Sequence, residues 1–231
     1  MKIVYTGLES SGKSLKLSRV AENVRIRNVR WFKSTGLKRT MCFNSPMSED
    51  FIALIERSNI NYLFFKNLDD ILYLEEADIF IDELIKYFPA SGTGSLSTEQ
   101  LHFITQGAKS GINVYASSQD FSQVHKQFRL LTNKVFVITK IIGNRRPMKT
   151  SPRVRYIWGL CFLREVSPTS FKGDSVTMES KGLPSFFFIE KVDTQRFDTS
   201  FKIPLTTLPV KKVRKQVEFC DEDGFTRVKY V

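Results

Sequence analysis

The chain has few of the residues that build metal centres or disulfide frameworks. Among 231 residues there are three cysteines and two histidines. Cys42, Cys161 and Cys220 are far apart and odd in number, and none belongs to a C-x-x-C pair. Such spacing argues against a zinc site and against a set of disulfide bonds. A reducing compartment is therefore the expected environment of the protein.

Long apolar segments are also lacking. No stretch approaches the ~18 apolar residues that a membrane-spanning helix needs, and the longest candidates, 135–138 and 186–189, have the length of strands. The first residues already read as a strand of the fold, so no signal peptide is expected. These two absences predict a soluble protein without a transmembrane segment.

Negative charge is the third deficit. The chain has 35 lysines and arginines against 24 aspartates and glutamates, which gives a formal net charge of +11 at pH 7. An excess of this size suits an anionic partner, either nucleic acid or a membrane surface. A basic surface that is merely solvated would give the same count, so charge alone leaves the partner open.

What the sequence does contain is a phosphate-binding motif at its start. An apolar run over 1–6 predicts a strand, and a helix-compatible stretch covers 15–29. Between them the pattern G-x-x-x-x-G-K-[S/T] is matched at every fixed position by Gly7, Leu8, Glu9, Ser10, Ser11, Gly12, Lys13 and Ser14. The glycines let the backbone curl around a polyphosphate, and the helix start adds its positive dipole end. These eight residues are therefore predicted to bind ATP.

A pair of carboxylates lies where the chemistry of magnesium-bound ATP would need it. The apolar run over 77–81 predicts a buried strand, and Asp82 and Glu83 follow it directly. Downstream of a phosphate-binding loop (P-loop), this pattern is typical of a Walker B strand. Asp82 and the hydroxyl of Ser14 are then predicted to hold Mg²⁺. Glu83 is predicted to polarise the water that attacks the γ-phosphate, and Gln119, after the next predicted strand, to sense that phosphate.

Strands and helices alternate along the first part of the chain, which predicts an α/β fold with a mostly parallel sheet. Later apolar runs over 156–166 and 184–192 predict strands that extend this sheet. The basic residues 144–155 before them read as a loop or a hairpin. We place one ATPase domain at 1–205 and a basic carboxy-terminal tail at 206–231.

Two further segments need a structure to interpret them. Residues 25–39, the basic segment, contain six cationic side chains interleaved with Trp31 and Phe32. They suit contact with nucleic acid, but cations are also favoured at the end of any helix, and both interpretations stay open. Residues 69–76 are acidic and are predicted to be helical.

The arrangement of the motifs resembles one class of P-loop ATPase. The Walker B strand lies far enough downstream to leave room for a strand between it and the P-loop strand. Together with Glu83 and Gln119, this is similar to the RecA-like ATPases that have an additional strand and a catalytic glutamate. Within that class, 108–119 (AKSGINVYASSQ) looks like the FtsK/HerA superfamily, and 129–135 (RLLTNKV) resembles the segment that follows there.

Two branches of that superfamily fit by size. One comprises the genome-packaging ATPases of membrane-containing and other small viruses, and the other the zonula occludens toxin-like proteins of filamentous phages. Residues 197–200 (FDTS) resemble an element that closes the ATPase domain in the toxin-like branch. Toxin-like proteins typically continue into a transmembrane helix, whereas this sequence runs to Val231 without one, so a soluble pump is the simpler expectation. The resemblance covers roughly residues 1–200.

The resemblance implies a viral ATPase that translocates DNA into a preformed capsid, in the host cytoplasm or on the virion. The alternative is a toxin-like ATPase that extrudes phage together with a membrane partner. Either branch implies a homo-oligomeric ring, a hexamer or pentamer, and the packaging branch implies docking on a capsid or membrane protein at a packaging vertex. A neighbouring subunit usually supplies an arginine to such sites; Arg129 is the first candidate, then Arg145 and Arg146. A nucleotide-dependent adaptor and a P-loop kinase are the remaining alternatives, and Glu83 argues against the adaptor.

Overall fold

The protein divides into two compact units, residues 1–201 and 202–231. The structure is a computed structural model, and it describes residues 1–9, 11–90, 96–148, 151–171, 184–190, 216–220 and 226–230. The predicted closing element at 197–200 lies outside the described residues, as does Ser10 of the P-loop.

The first unit is built on an eight-stranded sheet flanked by helices. In chain order its strands are β1 (Lys2–Thr6), β2 (Thr40–Phe43), β3 (Asn61–Phe64), β4 (Ala77–Ile81), β5 (Asn113–Ser118), β6 (Lys134–Met148), β7 (Ser151–Val166) and β8 (Ser185–Glu190). Its α-helices are α1 (Lys13–Thr35), α2 (Glu49–Arg57), α3 (Thr98–Gln106) and α4 (Lys126–Leu130). Across the sheet the strands follow the order β3-β2-β4-β5-β1-β6-β7-β8. The predicted α/β architecture with a mostly parallel sheet is confirmed.

The parallel part of the sheet sets where the motifs meet. Strand β1 lies between β5 and β6 and runs parallel to both, and β5 in turn pairs with β4. A strand therefore does lie between the P-loop strand and the Walker B strand, as the spacing of the motifs predicted. Because parallel strands end at the same edge of a sheet, the segments after β1, β4 and β5 converge at that edge.

The antiparallel part of the sheet extends beyond this edge. Strand β6 pairs with β1 only as far as Val137, and then continues to Met148 with β7 running antiparallel beside it. Residues 144–148 and 151–155 are thus part of two long antiparallel strands, as the hairpin interpretation of this basic stretch predicted. Strand β8 pairs with residues 158–163 of β7. The two strands extend from the end of the sheet that holds the P-loop.

Apolar side chains form a core on each face of the sheet. On one face, Leu17, Ala21 and Val24 of α1 pack against Phe43 and Phe80. Their spacing of three and four residues is that of one helix stripe. The core on the other face includes three fully or almost fully buried rings, Phe88, Phe103 and Phe128. Burial of each such side chain stabilises the fold by about 1.5–3 kcal/mol.

The predicted helix over 69–76 is wrong. Only a single 3-10 turn, Leu68–Asp70, forms here, and turns lead from it into β4. The carboxylate of Asp70 accepts hydrogen bonds from the backbone N–H groups of Lys66 and Asn67, both at 3.2 Å. With Asn67, Asp70 forms a capping box, which starts a helical turn. The turn ends at Ile71, which has a φ of −126° and a side chain fully buried in the core, so burial of this residue overrides the local helix signal.

Two arginines of the basic segment form hydrogen bonds within the chain. Asp78 of β4 is fully buried, and its carboxylate accepts hydrogen bonds from Arg27 at 2.6 Å and Arg39 at 3.0 Å. Asn28 and Asn113 donate to the same carboxylate at 2.9 and 2.8 Å. A buried carboxylate needs such compensation, because removing one partner from a buried ion pair costs about 3–5 kcal/mol. The two arginines therefore stabilise the fold. This weakens the interpretation of the segment as a nucleic-acid contact.

The described residues of the second unit form an antiparallel pair of strands, β9 (Gln216–Cys220) and β10 (Thr226–Tyr230). This pair of strands falls within the predicted basic tail, 206–231. Across the described ranges of the whole chain, no helix combines the length and the apolar character that crossing a bilayer requires.

Candidate nucleotide-binding site

The P-loop packs tightly against β6, and this contact explains its first glycine. Gly7 has a φ of +152°, and a Cβ atom there would lie 2.7 Å from the backbone oxygen of Ile138. It would also lie 3.0 Å from the hydroxyl of Ser11. Gly12, the N-cap of α1, has a φ of +88°. Glycine at these two positions lets the chain turn closely from β1 into the helix.

The lysine of the motif lies inside the loop. The ammonium of Lys13 donates to the backbone oxygens of Gly7 and Leu8 at 2.8 and 2.7 Å. Burial lowers its pKa, and the nearby carboxylates of Asp82, Glu9 and Glu83 oppose that shift. A polyphosphate bound in the loop would give this buried cation a stronger counter-charge than two carbonyl groups do.

One hydroxyl of the loop is a candidate donor to that phosphate. The Oγ atom of Ser11 is buried and makes no hydrogen bond, and an unsatisfied buried group of this kind needs an explanation. A phosphate oxygen in the loop would supply the missing acceptor. Leu8 and Glu9, at the outer side of the loop, are exposed.

The structure brings the two predicted magnesium ligands together. Although Ser14 and Asp82 are 68 residues apart in sequence, the hydroxyl of Ser14 lies 3.2 and 3.1 Å from the two carboxylate oxygens of Asp82. Magnesium prefers oxygen ligands and usually takes only one or two from the protein, with water and substrate phosphates completing the shell. The adjacent hydroxyl and carboxylate fit such an ion.

Two residues that the sequence analysis missed hold Asp82 from either side. Asn44, directly after β2, accepts from the backbone N–H of Asp82 at 2.7 Å and donates to its backbone oxygen at 2.8 Å. Ser117 of β5 donates to the Asp82 carboxylate and accepts from the backbone N–H of Glu83 at 3.1 Å. Strands β2 and β5 are the neighbours of β4, so polar residues at their ends were the signal that could have revealed both.

Glu83 has an unusual backbone conformation. Its φ of +61° and ψ of +68° lie in the left-handed region, which costs a non-glycine residue about 1–3 kcal/mol and is most common at functional sites. Its side chain is 45% exposed and forms an ion pair with Lys86. The carboxylate of Glu83 raises the pKa of Lys86, chiefly through their hydrogen bond. Water can therefore reach the predicted general base.

Gln119 lies at the same edge of the sheet. It directly follows β5, its side chain is exposed, and its backbone oxygen accepts a hydrogen bond from the hydroxyl of Thr6 at 3.3 Å. Thr6 is the last residue of the P-loop strand. The fold thus places Gln119 between the ends of β1 and β4, while its predicted role as a phosphate sensor stays a prediction.

Arg129 lies away from this constellation. Its guanidinium donates to the backbone oxygen of Phe171, and its Nε atom is buried without a partner. A few residues later the chain enters β6, where Lys134 pairs with Ile3 near the start of β1. Arg129 is therefore close to the amino end of β1, opposite to the P-loop of its own chain. It cannot complete its own site from there, and its action on a neighbour's site stays a prediction.

We expect the Ser117→Ala variant to lower kcat about 10-fold with little change in the KM for ATP. The substitution removes one hydrogen bond from the Asp82 carboxylate and the acceptor for the Glu83 N–H, and a bond to a charged group contributes about 1.5–3 kcal/mol. Steady-state phosphate release measures both constants. Ser118→Ala is the matched control, because Ser118 is equally buried but donates to Asp120 instead. Ser117→Thr, which keeps the hydroxyl, should restore kcat; equal loss in the Thr, Ala and control variants would contradict a positioning role.

Comparisons with known proteins agree with this fold. No protein-family model matches the chain, and no curated protein matches it by sequence. Among solved structures, it is similar to the N-terminal domain of zonular occludens toxin from Neisseria meningitidis, with a TM-score of 0.53 and 15% identity over 85% of this chain and 98% of that domain. A weaker match is the genome packaging NTPase B204 from Sulfolobus turreted icosahedral virus 2, with a TM-score of 0.38 and 12% identity over 78% of this chain and 96% of that chain. Another is the flagellar accessory protein FlaH from Methanocaldococcus jannaschii, with a TM-score of 0.41 and 10% identity over 79% of this chain and 89% of that chain. The chain thus has the fold of the zonular occludens toxin domain, and for the fold the resemblance inferred from the motifs is confirmed.

Proposed function

We propose that the protein is a magnesium-dependent ATP hydrolase. The observation that carries this proposal is the meeting of Ser14 with Asp82 at the mouth of the P-loop, 3.1 Å apart. ATP is bound by the P-loop, with Lys13 on the β- and γ-phosphates. Ser14 and Asp82 hold Mg²⁺, which neutralises phosphate charge when it is bound.

In this proposal the chain's own residues supply the remaining chemistry. Glu83 accepts a proton from the attacking water, which a positioned carboxylate can do. Asn44 and Ser117 fix the peptide that links Asp82 to Glu83, so the two carboxylates keep separate roles. Gln119 contacts the γ-phosphate or the attacking water and thereby connects β5 to the state of the nucleotide.

We further propose that hydrolysis moves DNA during the assembly of virus particles, by packaging the genome into a preformed capsid. The stretch 134–166 contains eight basic residues and one acidic residue, and its hairpin extends at the end of the sheet that holds the P-loop. A polyanion bound there would lie near the site of hydrolysis. We also propose a homo-oligomeric ring, in which Arg129, remote from its own P-loop, completes the site of the neighbouring subunit.

A second candidate function is the extrusion of phage by a toxin-like ATPase with a membrane partner. The fold match to the zonular occludens toxin domain favours it, because this match covers 98% of that domain with a TM-score of 0.53. Both candidates use the same site for ATP. They differ in whether the chain alone moves DNA.

ATP hydrolysis with and without DNA tests the proposal and separates the two candidates. We expect the packaging motor to hydrolyse ATP faster with DNA, to sediment as a ring with nucleotide, and to displace streptavidin from the biotinylated end of a DNA strand. Displacement should require ATP and should fail in the Glu83→Gln variant. Hydrolysis without DNA stimulation or displacement would favour extrusion with a membrane partner. An absence of hydrolysis under all conditions would overturn the ATPase proposal.

A further inference from the structure

Two phenylalanine rings of β8 face solvent. Phe186 and Phe188 are each 61% exposed, and their ring centroids lie 6.1 Å apart in an edge-to-face arrangement. Alternate residues of a strand point to opposite faces, so both rings lie on one face. Phe187, between them, lies on the other face, where its ring is 4.4 Å from the ammonium of Lys16 in α1. The contact with α1 fixes which face of β8 the two exposed rings occupy.

The exposed face continues across the neighbouring strands. Phe188 pairs with Leu160 of β7, and Leu160 pairs with Ile142 of β6. Phe186 pairs with Phe162. Ile142 is 46% exposed, and Leu160 and Phe162 are partly buried. We call these five residues the aromatic platform. Scattered apolar residues on a surface are ordinary, but a contiguous patch of this kind marks an interaction site.

The strands that form the platform are strongly basic. Of the residues 134–166, eight are basic and one is acidic, a net charge of +7 out of +11 for the whole chain. The eight are Lys134, Lys140, Arg145, Arg146, Lys149, Arg153, Arg155 and Arg164. Exposed aromatic rings on a sheet whose strands have this excess of basic residues complement a ligand that has both flat apolar groups and negative charge.

We propose that the aromatic platform binds single-stranded DNA, with bases stacked on Phe186 and Phe188 and phosphates neutralised by the basic hairpin. Aromatic side chains on a sheet, together with cationic residues that track the backbone, are how proteins bind single strands. The faces of bases in a duplex are covered by their neighbours and cannot stack on these rings. The ligand of the platform is therefore the single strand.

A membrane surface suits the same side chains less well. Strand β8 pairs with β7 alone among the strands that the structure describes, so one edge of its backbone is unpaired there. Insertion of the rings into a bilayer would bring this edge toward hydrocarbon, where unsatisfied N–H and C=O groups cost several kcal/mol each. Stacking of bases on the flat face leaves the edge in water.

The platform is also connected to the nucleotide site. Lys16, which contacts Phe187, lies one turn after Lys13 on α1. Strand β8, with DNA bound on one face, thus contacts α1 through its other face, and the start of α1 binds the nucleotide. The inference rests on the proposed DNA-handling function for its biological role, but binding to the platform is measured without nucleotide.

Fluorescence anisotropy with the full chain tests the inference, using a labelled oligo-dT strand and a labelled duplex. Replacing Phe186 and Phe188 by alanine should weaken single-strand binding at least about 10-fold, since each stacked base contributes substantially. Duplex binding should be unchanged. The dependence of log Kd on log salt should also keep its slope, because no charge is lost. Neutralising Arg145, Arg146 and Lys149 should instead reduce that slope by roughly two.

Leucine variants separate stacking from simple apolar contact. Phe186→Leu with Phe188→Leu keeps an apolar surface without rings and should bind single strands as weakly as the alanine variant, whereas tyrosine at both positions should preserve binding. Wild-type affinity of the leucine variant, or equal loss for duplex, would overturn the inference. So would phenylalanine-dependent binding to vesicles of phosphatidylcholine and phosphatidylglycerol without binding to oligo-dT. ATPase activity without DNA should be unchanged in the alanine, leucine and tyrosine variants of Phe186 and Phe188. If the wild type proved inactive while oligo-dT binding still depended on the rings, the proposed function would fail and the platform would stand.

Discussion

Glu83→Gln should bind ATP normally and lose hydrolysis by a factor of about 10²–10⁴, the usual contribution of a general base. Glutamine keeps the size of the side chain but cannot accept the proton of the attacking water. Lys13→Ala should instead lose nucleotide binding itself, because it removes the cation that lies within the P-loop. Titration with a fluorescent ATP analogue measures binding, and phosphate release measures turnover, so the two steps are separated.

The control for this pair is Glu75→Gln, which removes an exposed carboxylate on the segment that leads into β4. It should bind and hydrolyse ATP as the wild type does. Lys86→Ala adds a second comparison, since it breaks the ion pair of Glu83 without changing the base. Normal turnover in Glu83→Gln would contradict the Walker B assignment, and normal ATP affinity in Lys13→Ala would contradict the P-loop assignment.

Arg129→Ala should bind ATP normally and hydrolyse it about 10³-fold more slowly, if the arginine acts on the site of a neighbouring subunit. The structure places Arg129 near the amino end of β1, so it cannot reach its own P-loop. Mixing Arg129→Ala with Lys13→Ala should restore part of the activity. In mixed rings, an intact P-loop from the first variant faces an intact arginine from the second. Two inactive proteins that become active on mixing cannot be explained by a monomeric enzyme.

Two controls guard this experiment against loss of structure. Arg129 donates to the backbone oxygen of Phe171, so thermal unfolding must show that Arg129→Ala remains folded; Arg129→Lys, which keeps the charge but not the planar group, gives a second test. Lys126→Ala removes an exposed cation from the same helix and should remain active. Full activity of Arg129→Ala would contradict its role as the arginine of the neighbouring site, and so would inactive mixtures in which mixed rings are shown to form. Either result would assign that role to Arg145 or Arg146, or refute the ring.

The run of three phenylalanines on β8 shows what a local sequence pattern can and cannot predict. A short continuous apolar run predicts a strand but does not tell which of its faces is covered. The structure decides this, because β8 pairs with β7 and packs Phe187 against α1, while Phe186 and Phe188 stay exposed. The contacts of the basic segment could not be predicted from its local pattern either. Its charges are evident in the sequence, but the hydrogen bonds from Arg27 and Arg39 to Asp78 depend on how α1 and the residue before β2 pack against β4.

The sequence by itself determined the alternation of strands and helices and the strand between β1 and β4, and it predicted the roles of the P-loop and of the two carboxylates after β4. These depend on local patterns: the glycine conformations of one loop, the periodicity of strands and helices, and the order of motifs along the chain. Only the tertiary structure decided that Asn44 and Ser117 hold Asp82, that Arg129 lies opposite to its own P-loop, and that Phe186 and Phe188 face solvent. The physical reason is that each of these depends on the register and order of strands distant in sequence, which no local pattern specifies.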